Sequence, residues 1–264
     1  MKHFWTGFVL VAAAILLYLP LLAVAVYSVN AARIGLVWKG FTLLWYARLL
    51  QNDLILQAAW NTLLLAVIST VIATLLGVLL AIGLERYPWP VRTRRLLDAL
   101  SDLPVITPDI IFAAALVVAF GLVRTIWTAY QPGLSLMIIG HVTFQVAFVA
   151  LIVRSRLMLI GKTFGEAACD LYATPGNLFR RVTLPLLLPG IMAGAVLAFT
   201  LSLDDFVISF FTSGPKSDTL PIYIYSSLRR GLSPELHALS TLIVLITVFL
   251  VLGLQRLTWV SQKE

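Results

Sequence analysis

The chain alternates between long apolar runs and short polar, mostly basic connections. Six runs are long enough to cross a bilayer: Gly7–Val29, Gln57–Leu84, Leu100–Val123, Leu134–Val153, Leu184–Phe211 and Leu236–Leu257. A membrane-spanning helix needs about 20 residues. The runs are continuous rather than alternating, and in lipid only a helix or a closed barrel satisfies its own backbone. The pattern therefore predicts an all-α integral membrane protein with about six transmembrane helices, forming a single transmembrane domain over residues 1–264. The first run could be taken for a signal peptide, with Lys2 before it and Ala31 and Ala32 after it. From Phe8 to Val29 it has 22 residues, longer than the roughly 7–15 of a signal core. It is read as a retained first helix.

Composition agrees. Of 264 residues, 60% are hydrophobic and only 12% are charged, too few charges to cover a water-soluble surface of this size. The net charge of +7 is not the footprint of a nucleic-acid binder, which clusters basic residues on a polar face. Here the basic residues lie between apolar runs, and the positive-inside rule orients the chain. With both termini cytoplasmic, twelve of the nineteen Lys and Arg fall on inner segments. The dense inner clusters are Arg86, Arg92, Arg94 and Arg95, then Arg154, Arg156, Lys162, Arg180 and Arg181. The outer loops carry Trp38, Trp45, Tyr46, Trp127 and Tyr130, the composition of an interfacial aromatic belt. The single cysteine, Cys169, allows no internal disulfide, offers no metal-site spacing and is read as an inert thiol.

The longest connection, about 30 residues from Arg154 to Thr183, faces the cytoplasm in this topology. Glu166, Ala167 and Ala168 favour helix. Pro175 and Gly176 interrupt it, and Asn177 can cap a second short stretch that runs into Leu184-Pro185. Two short helices on the inner face make a lever that could insert into a groove of another protein. Nearby, Gly161-Lys162-Thr163 resembles the end of a phosphate-binding loop. The motif needs a glycine five residues earlier, where Arg156 stands, so no ATP site is read here and the energy must come from a partner.

The loop closely resembles the EAA loop of ABC importer permeases. Glu166-Ala167-Ala168 matches its first part, and Val182, Leu184 and Pro185 match its last. The resemblance implies a coupling helix docking on a cytoplasmic ATPase through Glu166, Ala167, Ala168, Asp170, Leu171, Tyr172, Leu184 and Pro185. Tyr172 departs from the family, which usually has Gly there. If that position needs a positive φ, Tyr costs about 1–2 kcal/mol. The C-terminal third, with Leu201-Ser-Leu-Asp-Asp-Phe-Val-Ile-Ser, Ser213-Gly-Pro, Leu220-Pro-Ile-Tyr-Ile-Tyr-Ser and Gly231-Leu-Ser-Pro-Glu-Leu-His-Ala, looks like the spermidine/putrescine importer permeases, most similar to the PotC type. Trp45-Tyr46, Ser101-Asp-Leu-Pro, Pro108-Asp-Ile-Ile and His141-Val-Thr-Phe add to the match, which covers nearly the whole chain. It implies a type I ABC importer permease fold in the bacterial inner membrane and a non-catalytic subunit that binds no cofactor. ATP and Mg²⁺ would be used by a partner ATPase dimer. The other implied partners are a second permease subunit and a periplasmic polyamine-binding protein.

The residues also point to a cationic cargo by themselves. Asp109, Asp204 and Asp205 lie within or at the ends of apolar spans, where a charge costs about 2.5–3.5 kcal/mol on the insertion scale. No Lys or Arg lies in the apolar cores to pair with them, so a polyamine could be the counter-ion, with aromatic faces adding cation–π attraction. Asp204 shares a helical face with Thr200, Asp205 points about 100° away, and Ser202 is a weaker pathway candidate. Pro104 and Pro108 could kink or unwind the third span before Asp109 and free carbonyls. Other roles stand beside these. The Asp204–Asp205 pair could instead contact the binding protein, and Asp109 could cap backbone donors. Trp45 either guards the entrance or, the simpler reading, anchors the interface. His141 reads as packing or hydrogen bonding, Gly190 and Gly194 as close helix packing, and Glu85-Arg86 as a surface pair.

The competing class is a proton-coupled secondary transporter, which intramembrane Asp residues would suit. A coupling loop has no use in such a carrier, and no inverted repeat is visible. Within the importer class, another small solute is the alternative cargo.

Overall fold

A computed structural model describes residues 2–32, 37–126, 131–161, 163–230 and 234–261, with side chains over 5–32, 37–126, 131–161, 163–168, 170–229 and 234–249. Arg33, Trp127, Tyr130, Lys162, Gly231–Ser233 and Lys263 lie outside the described residues, as do the side chains of Lys2, Cys169, Arg230 and Arg256. The described chain is almost entirely helical: α1 Lys2–Ser28, α2 Leu44–Leu50, α3 Asp53–Arg86, α4 Val91–Ile106, α5 Asp109–Ile126, α6 Leu134–Ile160, α7 Thr163–Asp170, α8 Pro175–Leu178, a wider π-type turn Phe179–Thr183, α9 Leu184–Asp204, α10 Val207–Thr212, α11 Leu220–Arg230 and α12 Pro234–Ser261. Among the described residues, five stretches are long and apolar enough to cross a membrane, built on α1, α3, α5, α6 and the run α8–α9.

The chain divides into two compact units, Met1–Leu56 with Tyr223–Glu264, and Gln57–Ile222. In the first, α1 and α2 pack against α12. The side chains of α1 from Trp5 to Leu22 are largely exposed, as befits a helix whose solvent is lipid. Its loop is organised by Asn30, 2% exposed. The Asn30 side chain donates to the Val37 carbonyl and accepts from the amides of Ala32 and Lys39, which satisfies a buried amide.

In the second unit α6 is the central helix and packs most extensively on α9. Val149, Ala150, Val153 and Leu157 of α6 meet Leu187 and Ala198 of α9 and Ala81 of α3 in one buried cluster. Small residues permit this approach. A Cβ on Gly190 would lie 2.8 Å from the Arg156 Cβ, and one on Gly194 would lie 3.2 Å from Val149 Cγ1. With no hydrophobic drive between helices in lipid, such close van der Waals packing is the main source of cohesion.

Two predicted spans are broken. The third was expected as one span from Leu100 to Val123 that Pro104 and Pro108 could kink or unwind. It is split between α4 and α5 at Thr107, whose backbone is extended at φ −75°, ψ 131°. Pro108 causes the break: it has no N–H, and its ring bars the preceding residue from the helical region. Pro104, by contrast, stays inside α4. The fifth span was expected to run to Phe211 but ends at Asp204, with Asp205 extended at ψ 121° and α10 starting afresh at Val207. No proline lies there. The cause is a side-chain network described below.

Candidate functional site

The two breaks meet. Phe112 and Ala113, in the first turn and a half of α5, pack on Ile208 of α10 together with Leu116, Phe144 and Val207. This contact draws together three of the predicted carboxylates. Asp109 opens α5, where the helix N-terminus favours an anion. Asp204 closes α9 and Asp205 follows it. The charges of Asp205 and Asp109 both act on Asp204. Two phenyl pairs stand on the elements that carry these residues: Phe112 of α5 lies 5.7 Å from Phe144, and Phe206, next to Asp205, lies 5.2 Å from Phe210.

The three carboxylates differ in environment. Asp109 and Asp204 are exposed, and among the described residues neither forms an ion pair. Thr200, on the Asp204 face, is also exposed and gives its hydroxyl to the Val196 carbonyl. Asp205 has partners, which corrects the expectation that all three lack one. Its Oδ1 accepts the Ile208 amide at 3.2 Å, and its Oδ2 accepts the Ser209 amide at 2.8 Å. The His141 Nε2 lies 3.2 Å from Oδ2. His141, 2% exposed, also meets Ser202 Oγ through Nδ1 at 2.8 Å and Ser209 Oγ through Nε2 at 3.0 Å. Ser202 in turn meets Ser69 at 3.3 Å. Ser202 is thus buried behind Asp205 inside this network. Sequence reasoning gave His141 only a packing or hydrogen-bonding role. Its ties run across 61 to 68 positions, and no local spacing signals them.

Trp45 belongs to the first unit. It is 3% exposed, its indole N–H donates to the Asn30 carbonyl at 2.8 Å, and the Arg48 guanidinium lies 5.2 Å over its ring.

The loop after α6 forms a second predicted site. Glu166, Ala167 and Ala168 lie on α7, and the chain leaves that helix through a left-handed residue. Tyr172 has φ 56°, and the Ala173 amide reaches back to the Ala168 carbonyl at 3.0 Å. This is a Schellman ending, with Tyr172 at the position that Gly normally takes. Pro175, expected only as an interruption, opens α8 at its first position, and Thr174 rather than Asn177 is the cap, its Oγ1 accepting the Asn177 amide. Leu171 and Tyr172 are 81% and 96% exposed. Glu166, Ala167 and Asp170 are exposed, Ala168 is half-buried, and Leu184 and Pro185 begin α9. Glu166 and Asp170 face Glu85, Arg86 and Arg94 across an open cavity of about 570 Å³.

Beside that cavity lies a charge network that the sequence did not reveal. Arg154 of α6 binds Glu85 at the end of α3 and reaches Asp98 of α4 at 2.9 Å, while Arg94 binds Glu85 at 3.1 Å. Glu85, expected to pair with Arg86, thus ties three helices together.

An all-α protein with several apolar spans, two of them broken where carboxylates gather, has the build of a membrane transport permease. The chain belongs to the family described as binding-protein-dependent transport system inner membrane component, which it matches over residues 73–258. It is accordingly a non-catalytic, multi-pass inner-membrane component of an importer. It is 39% identical over 239 residues to the spermidine/putrescine transport system permease protein PotC of Escherichia coli (strain K12), covering 90% of this chain and 88% of that one. It is 37% identical to the putrescine transport system permease protein PotI of the same strain, covering 91% and 85%. A bacterial alginate ABC transporter, solved in complex with an alginate pentasaccharide-bound periplasmic protein, shares the fold with a TM-score of 0.74 and 20% identity, over 96% of this chain and 93% of that one. The type I permease fold expected from sequence is therefore the fold of this chain.

Proposed function

We propose that this chain is the permease subunit through which an ATP-driven importer moves polyamines such as spermidine or putrescine into the cell. The observation that carries the reading is the meeting of two helix breaks at Asp109 and Asp204, two exposed carboxylates without an ion-pair partner among the described residues. Each costs about 2.5–3.5 kcal/mol in the bilayer centre on the insertion scale. An elongated cation with ammonium groups on an apolar stem offsets that cost, and the neighbouring phenyl faces add cation–π attraction. The Pro108 break contributes as well, because Pro108 has no N–H for the Pro104 carbonyl. The names of the relatives agree with this cargo.

In this mechanism both termini lie in the cytoplasm. A periplasmic binding protein delivers the polyamine to a path between this chain and a second permease subunit. ATP, with Mg²⁺, closes a cytoplasmic ATPase dimer. The helix carrying Glu166, Ala167, Ala168 and Asp170, with Leu171 and Tyr172 at its exposed end, docks on that dimer, and Leu184–Pro185 passes the motion to α9. Binding along the path is weak, since a tight site would hold its cargo. The test is uptake of radiolabelled putrescine and spermidine by the reconstituted importer. Asp109→Asn with Asp204→Asn lowers uptake by tenfold or more while the complex still co-purifies. Undiminished uptake in that variant, or robust uptake on a proton gradient without ATP, overturns the reading.

A further inference from the structure

The two adjacent aspartates at the end of α9 have different partners, and the difference assigns them different tasks. Asp205 is engaged on both oxygens by the first-turn amides of α10, and Oδ2 is further met by His141. A carboxylate accepting backbone N–H groups in the first turn is the standard way to end one helix and start another at a sharp angle. Here the capping group comes from Asp205, two positions before Val207, and the imidazole holds it there. The imidazole is itself fixed. Its two nitrogens meet the hydroxyls of Ser202 and Ser209, which leaves the ring no freedom to rotate away. Ser69, Ser202 and Ser209 are all 2% exposed or less, and a buried polar network of this kind holds its geometry because an unmade bond is costly there. The members come from four helices: Ser69 from α3, His141 from α6, Ser202 from α9 and Ser209 from α10. Next to His141, Gly140 lets α10 approach α6, since a Cβ there would lie 2.9 Å from Ile208 Cγ2.

We infer that His141 is a positioning residue that clamps Asp205 onto the first turn of α10. Asp205 is then a scaffold group that fixes the α9–α10 break. Asp204, held at the rim of that break, is the carboxylate that joins Asp109 in meeting the cation. This division of labour rests on the polyamine reading, but the clamp itself can be tested apart from any cargo.

The first measurement is hydrogen exchange of the 205–213 segment, by mass spectrometry on the assembled importer. Removing a helix cap loosens the first turn by about tenfold. His141→Ala and Asp205→Ala therefore speed exchange at the Ile208 and Ser209 amides by about that factor. His141→Gln, whose amide nitrogen reaches the position of Nε2, and Asp205→Ser, whose hydroxyl is a good cap, restore most of the protection. Asp204→Ser leaves it as in the parent. Unchanged exchange in His141→Ala overturns the clamp whatever the cargo is. The second measurement is putrescine uptake. Asp205→Ser stays within about threefold of the parent, whereas Asp204→Ser falls by tenfold or more, as expected when a cap is conserved and a cation ligand is lost. Asp205→Ser as inactive as Asp204→Ser, with normal exchange, makes Asp205 a ligand and overturns the assignment. A parent importer that takes up neither putrescine nor spermidine overturns the cargo reading alone, and the exchange arm still decides on His141.

Discussion

Replacing Tyr172 with glycine should make the loop after α7 more stable. Tyr172 sits at φ 56°, where an L-residue with a Cβ pays about 1–2 kcal/mol. Its side chain is 96% exposed, so little packing is lost with the ring. Glycine removes the steric penalty but adds unfolded-state freedom worth about 0.5–1 kcal/mol. The net gain is about 0.5–1 kcal/mol, a two- to five-fold shift toward the closed helix end at about 1.4 kcal/mol per tenfold. The reporter is local: the Leu171 and Ala173 amides, bonded to the Ala167 and Ala168 carbonyls, exchange more slowly by that factor in Tyr172→Gly. Tyr172→Ala removes the same ring without freeing φ and gives no such slowing. Equal slowing in the two variants would show that the backbone conformation is not the cause, and faster exchange in Tyr172→Gly would remove the strain argument altogether.

Other consequences follow from packing and charge. Gly190→Ala forces a Cβ against the backbone-proximal Arg156 Cβ and lowers stability by about 1–3 kcal/mol, read as a fall in the unfolding midpoint in detergent. Arg154→Met leaves Glu85, 17% exposed, short of one partner and costs about 1–3 kcal/mol, between the exposed and fully buried limits. Adding Glu85→Gln recovers part of that loss in the same assay. Pro108→Ala removes the obstacle to a continuous helix, so uptake falls while the unfolding midpoint holds or rises. A variant that transports normally would detach the break from function.

How much of this was legible from sequence depended on the range of the cause. The apolar runs and the helix at Glu166–Ala168 were readable because hydropathy and helix propensity are local, whereas the interruption expected at Pro175–Gly176 falls earlier, at Tyr172. The Pro108 break was readable for the same reason, since proline acts on its own neighbours. The break after Asp204 was not. Val207–Phe211 is apolar enough to continue a span, and the helix stops because Asp205 caps Ile208 and Ser209 while His141 holds it. Nor was the Glu85 partnership, because Arg154 stands 69 positions away and the nearer Arg86 was the obvious partner. Trp45 was expected in an outer loop, as an anchor or entrance guard; it lies on α2, and its burial against Asn30 is set by tertiary structure.

The central claim is that Asp109 and Asp204 meet the positive charges of the cargo in the membrane. Its most direct test is the ratio of transport rates for putrescine and for a monoamine of the same length, measured in one reconstituted importer with the same binding protein. The contribution of the binding protein is common to parent and variant, so it cancels in their comparison. The account predicts that the parent favours the diamine and that Asp109→Asn with Asp204→Asn erases the preference along with most of the rate. A variant that keeps both the rate and the preference would contradict it.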